Sequence, residues 1–164
     1  FDDAERTHLR EMATQTPVLW ATNFSRGVAA LRRAVTAAVA AVPGYDVELT
    51  ETHHNGKRDA PSGTATTLLE DIEAARPDLE ERVHGRAGHA PREPGEIGVH
   101  ARRAGDVTGE HEVLLAGNDE ALSLAHSAGD RAVFAAGALD AAAWLAGREP
   151  GWYAFDDVLD GGAP

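Results

Sequence analysis

Three stretches in close succession alternate apolar with polar residues, a pattern that fits a strand and not a helix. Ile97, Val99 and Ala101 alternate with Gly98, His100 and Arg102; Glu110 to Ala116 follows; Leu122, Leu124 and His126 then alternate with Ala121, Ser123 and Ala125. Successive side chains of a strand point to opposite faces, so each stretch gathers its apolar set on one side of a sheet. Gly105-Asp106 and Asn118-Asp119 supply turn residues between consecutive stretches, and the expected pairing is therefore antiparallel along the run. A sheet of this kind needs a cover, and the remaining chain offers helices.

Between Ser25 and Val42, the apolar residues Val28, Leu31, Val35, Val39 and Val42 recur at three- and four-residue intervals until Pro43 and Gly44. A second helix carries Ala65, Leu68, Leu69, Ile72 and Ala75 on one face, with Ser62 at its N-cap and Pro77 beyond its end. Residues 2–14 and Asp130 to Ala146 read as two more helices, the latter with Gly147 placed as its C′ residue. Val18 to Ala21 is a short buried strand; Val47 and Leu49 mark another, which delivers Thr52, His53 and His54 to its end. The stretch from Pro77 to Gly95 reads as a long surface loop, and Gly151 to Pro164 as an irregular tail. The expected fold class is α+β, a mixed, largely antiparallel sheet covered by helices.

Charge narrows the partners. Fifteen basic against 27 acidic residues give the 164-residue chain a net charge of −12, a field that repels phosphate backbones and anionic lipid headgroups. Neither nucleic acid nor a membrane is an expected partner, and no uncharged apolar run approaches the roughly 18 residues of a membrane span. Cysteine is absent, which removes disulfides and thiolate chemistry and fits a cytoplasmic protein. Fourteen of the basic residues are arginine and one is lysine, Lys57; with so many acids, this composition suggests a halophilic or high-GC source. The chain opens on Phe1 inside an acidic helical pattern, and a fragment of a longer protein is expected.

The run His53-His54-Asn55-Gly56-Lys57-Arg58-Asp59-Ala60-Pro61-Ser62-Gly63-Thr64-Ala65 concentrates two imidazoles, the sole ammonium and a helix start. The backbone N–H groups of Gly63 and Thr64 fall in the first helical turn, where unpaired donors and the dipole suit a carboxylate or phosphate. The Thr64 hydroxyl and Lys57 would add a further donor and a charge. Imidazole is an effective general acid near neutral pH. A polar loop with merely solvated side chains is the competing reading. No metal site is expected, because adjacent histidines on a strand point apart; His84, His89, His100, His111 and His126 read as surface or satisfied buried histidines. Neither a G-x-G-x-x-G fingerprint nor a P-loop occurs.

That thirteen-residue run closely resembles the signature of the dihydrodipicolinate reductases, enzymes of bacterial-type lysine biosynthesis. Asn23-Phe24-Ser25, Pro94 to Gly98, Arg103 to His111 and Trp144-Leu145 resemble further landmarks of that family. The resemblance implies reduction of the cyclic dicarboxylate 4-hydroxy-tetrahydrodipicolinate with NADH or NADPH as hydride donor, in a homotetramer. It implies His53 and Lys57 as catalytic residues; His54, Gly63 and Thr64 as substrate-binding; and Ala21, Thr22, Asn23 and Phe24 beside the nicotinamide end of the cofactor. It also implies a division into residues 1–24 (remnant of a Rossmann-type cofactor domain and hinge), 25–127 (substrate binding and tetramerisation) and 128–164 (a helix and tail returning to the cofactor domain). The coenzyme fingerprint is expected upstream of Phe1, so this chain alone is expected to be inactive. The alternative is a free-standing dicarboxylate-binding and oligomerisation domain without redox activity.

Overall fold

The structure, a computed structural model, describes residues 2–161. In chain order its elements are α1 (Asp3–Met12), β1 (Pro17–Trp20), α2 (Arg26–Ala41), β2 (Asp46–His53), α3 (Gly63–Ala75), β3 (Glu81–His84), β4 (Glu96–Arg103), β5 (Glu110–Ala116), β6 (Ala121–Ser127), α4 (Ala132–Leu145), β7 (Gly151–Ala154) and α5 (Phe155–Asp160). These form two units. One takes the chain up to Ala29 and again from Arg131; the other is Ala30–Asp130.

The larger unit is built on a five-stranded sheet in the order β3-β4-β2-β5-β6. Here β2 runs parallel to β4 and antiparallel to β5, while β3 joins β4 in parallel and β6 joins β5 antiparallel. The α+β architecture with a mixed, helix-covered sheet is thus present. One face is apolar: Val47 and Leu49 of β2, Ile97 and Val99 of β4, and Val113 and Leu115 of β5 are buried against Leu31, Val35 and Val39 of α2 and Ala65, Leu68, Leu69 and Ile72 of α3. Each fully buried leucine or isoleucine here contributes about 1.5–3 kcal/mol relative to exposure. The opposite face is polar, and Arg102, Glu110, Glu112, Ser123 and Ser127 lie exposed on it.

Three sequence expectations need correction. Strands β4 and β5 were expected to pair across Gly105-Asp106, but β2 lies between them and takes both as neighbours. Alternation fixes which face a residue occupies and leaves the neighbouring strand open. The Pro77–Gly95 loop contains strand β3, whose four residues Glu-Arg-Val-His at the sheet edge are too few and too charged to show a period. The tail is regular up to Asp160, forming β7 and α5, with residues 162–164 outside the described part. Gly147 does stand at C′, after the Ala146 cap, but without the left-handed backbone of a glycine cap, and α4 closes through the Ala146 N–H donating to the Ala142 carbonyl.

In the smaller unit, β1 and β7 pair in parallel, Pro17 with Gly151 through Trp20 with Ala154. Phe155 and Val158 of α5 pack with Ala29 and Ala141, and the Phe24 and Phe155 rings meet edge-on with centroids 5.5 Å apart. Gly137 of α4 is required there: a Cβ at this position would lie 1.7 Å from the Phe24 carbonyl oxygen. Helix α1 starts on a capping box in which Asp2 and Glu5 accept from each other's backbone N–H at 2.8 Å. Among the described residues no helix is long and apolar enough to cross a membrane.

Candidate active site

The apolar stripe of the large sheet turns polar at one end. On β2 it reads Val47, Leu49, Glu51, His53; on β4, Ile97, Val99, Ala101, Arg103; on β5, read backwards, Leu115, Val113, His111. The ladder sets Glu51 opposite His111 and Ala101, and His53 opposite Arg103. Four polar side chains therefore converge where β2 ends and α3 begins.

Glu51 is the centre of this cluster and is fully buried. Arg103 grips its carboxylate with both terminal nitrogens, at 2.9 Å to Oε2 and 2.8 Å to Oε1. The Ser62 backbone N–H donates to Oε1 at 3.1 Å, and His53 Nδ1 stands 2.5 Å from Oε2. Burial pushes the Glu51 carboxyl up, but hydrogen bonds from Arg103 and His53 outweigh it and hold the group below its ordinary value. An ionised carboxylate can only accept, so this short contact is a hydrogen bond when His53 carries a proton on Nδ1.

Helix α3 is fastened to the same cluster. Its N-cap Ser62 accepts the Ala65 N–H on Oγ at 3.1 Å, and that hydroxyl lies 2.9 Å from His111 Nε2. The His53 and His111 rings meet edge-on, with centroids 5.2 Å apart. His111 is buried, and desolvation together with repulsion from His53 lowers its pKa to about 4, against a smaller opposing pull from Glu51. It is neutral at physiological pH, so the Ser62 hydroxyl can donate to its ring while accepting the cap bond.

The loop between β2 and α3 carries the remaining candidates. It is tied to the turn after β4 by the Ala104 N–H on the His53 carbonyl at 2.9 Å and the Asn55 N–H on the Gly105 carbonyl at 3.0 Å. Lys57 Nζ donates to both oxygens of Asp59 at 2.7 and 2.8 Å, and Arg103 donates to the Asp59 carbonyl. That contact with Lys57 holds the Asp59 carboxyl below its usual range. His54 is half-buried beside Gly56. Gly63 and Thr64 occupy the first two positions of α3, and a Cβ on Gly63 would meet nothing within 4 Å.

His53, His54, Lys57, Gly63 and Thr64 thus belong to one unit, around one strand end and one helix start. Ala21, Thr22, Asn23 and Phe24 belong to the other, in the connection from β1 to α2, where Asn23 Oδ1 accepts the Ser25 N–H at 2.7 Å. Among the described residues no group of three or more His, Cys, Asp or Glu is placed to hold a metal ion. Sequence reasoning gave Glu51 no role and included neither Arg103 nor His111 among the site residues, although it read Arg103 to His111 as a family landmark and His111 as a surface or satisfied buried histidine, and His111 is indeed buried against Ser62. Their signal was phase: each shares the inward phase of an apolar strand stripe, where a charged or polar residue calls for a partner.

A histidine held by a buried carboxylate, on a strand end that leads through a lysine-bearing loop to a helix start, can exchange a proton close to donors that suit an anion. Residues 27–159 match the family model described as dihydrodipicolinate reductase, C-terminus, and the chain belongs to that family. It is 60% identical to the 4-hydroxy-tetrahydrodipicolinate reductase of Natronomonas pharaonis over 97% of this chain and 65% of that one. The enzyme of the same name from Haloarcula marismortui is 59% identical over 98% of this chain and 64% of that one. The chain therefore spans just under two thirds of these relatives. A solved structure described as dipicolinate-bound dihydrodipicolinate reductase, from Paenisporosarcina sp. TG-14, shares the fold with a TM-score of 0.73 at 24% identity, over 94% of this chain and 59% of that one.

Proposed function

We propose that this chain carries the substrate-binding and proton-donating part of a 4-hydroxy-tetrahydrodipicolinate reductase, which reduces that cyclic dicarboxylate to tetrahydrodipicolinate in the diaminopimelate route to lysine. The observation that carries the reading is the convergence of the oriented His53, Lys57 and the α3 N-terminus at one strand end. A dicarboxylate needs two sets of donors. The first-turn amides and Thr64 hydroxyl serve one carboxylate, and Lys57 the other after exchanging Asp59 for substrate. His54, half-buried in the same loop, is assigned to substrate binding in this reading. His53 donates the proton as a substrate carbon accepts hydride.

Hydride comes from NADH or NADPH in the complete enzyme. Ala21 to Phe24 fit its nicotinamide end, since they leave the carboxyl end of a parallel strand for a helix start, the usual ligand-facing place in such units. Residues 1–24 and 128–164 belong to the cofactor domain in this reading, and 25–127 to the substrate domain. The protein acts in the cytoplasm. The polar sheet face, with Arg102, Glu110 and Glu112 exposed, packs against further copies in a homotetramer. Sedimentation of the complete enzyme as a monomer at micromolar concentration would remove that assignment.

Lys57→Ala in the complete enzyme tests the site. Loss of a charge-assisted hydrogen bond of about 1.5–3 kcal/mol lowers kcat/KM by about 10- to 150-fold. An unchanged kcat/KM would return Lys57 to a solvated loop.

A further inference from the structure

We infer that Glu51 is the positioning residue for His53, fixing which ring nitrogen carries the transferable proton. The inference rests on the role proposed above for His53. It is carried by the hydrogen-bond inventory of one wholly buried carboxylate.

Each Glu51 oxygen has two donors: Oε1 takes Arg103 Nη2 and the Ser62 N–H, and Oε2 takes Arg103 Nη1 and His53 Nδ1. No acceptor site is left for rearrangement. Arg103 is in turn held by its own Nη donations to the Arg102 and Asp59 carbonyls. The carboxylate is therefore clamped from β4 and from the N-cap of α3, and the imidazole inherits its position from both elements. The far side of the ring is fitted as closely. A Cβ on Gly109 would lie 3.1 Å from His53 Nε2, so the glycine leaves the ring its room, and the His111 ring bounds another edge.

The chemical consequence is a fixed tautomer. With Nδ1–H committed to Glu51, the neutral ring presents a lone pair at Nε2, and the charged ring releases its proton only from Nε2. Arg103 neutralises the buried carboxylate, which lets Glu51 orient the ring without leaving an unpaired buried charge.

Two measurements on the complete enzyme test this. Nitrogen-15 spectra of the unsubstituted protein should show the neutral His53 ring protonated at Nδ1. Glu51→Gln should lower kcat by about 10- to 100-fold, the scale of outer partners of a functional histidine, with KM for the dicarboxylate within twofold. A neutral ring protonated at Nε2 would overturn the inference, as would a folded Glu51→Gln enzyme with kcat within twofold. If Glu51→Gln does not fold, the spectrum of the unsubstituted protein decides alone. An unchanged kcat in His53→Ala would instead overturn the role of His53 while the spectrum still reports whether Glu51 sets its tautomer.

Discussion

His53→Ala in the complete enzyme should lower kcat by about 10²- to 10⁴-fold, with a much smaller change in KM. Proton donation by a positioned acid contributes on that scale and is realised only as the substrate accepts hydride. In the proposed reading the substrate carboxylates are held by other groups, the α3 amides, Thr64 and Lys57, so ground-state binding should survive the truncation. The ring also fills space against Gly109 and His111. His53→Gln, which keeps more of that volume, should show the same loss of kcat. Steady-state kinetics check this; a kcat within twofold of the parent in both variants would take His53 out of the chemistry.

The second large effect is on stability in acid. His111 has a folded-state pKa of about 4, below its ordinary value of 6.5, because burial and His53 disfavour the charged ring. Between those values the unfolded chain binds the proton and the folded chain does not, so stability is full above about pH 6.5 and falls as the pH drops toward 4. At about 1.4 kcal/mol per pKa unit, the loss is on the order of 3 kcal/mol. Protonation also removes the acceptor that the Ser62 hydroxyl uses while capping α3. Denaturant unfolding of the chain across this window should show His111→Gln losing less stability than the unsubstituted chain. Superimposable pH profiles would contradict the assignment.

Much of this architecture is legible in the residues. The stripes Leu31–Val35–Val39 and Leu68–Leu69–Ile72 announce α2 and α3, because helices must bury an apolar face every three or four residues. Ser62 is readable as a cap, and its Oγ accepts the Ala65 N–H. The edge strand β3 is not, since four residues with two charges carry no period. Nor is the place of β2 between β4 and β5, because pairing depends on which edges meet in three dimensions. The loop between β2 and α3 could be picked out from its own sequence, and Glu51 lies only two residues before His53, whereas Arg103 and His111 lie more than 40 residues from the loop positions they bond. Glu51 and Arg103, bonded at 2.8 and 2.9 Å, are brought within reach by strand register, and register is what a sequence without its fold withholds.

We propose that the α3 N-terminus and Lys57 hold a dicarboxylate beside His53. A crystal structure of the complete enzyme with pyridine-2,6-dicarboxylate tests it most directly. One carboxylate should lie within hydrogen-bond distance of the Gly63 and Thr64 N–H groups, with Lys57 Nζ moved from Asp59 to the ligand. A dicarboxylate bound away from this loop, with Lys57 still on Asp59, would contradict it.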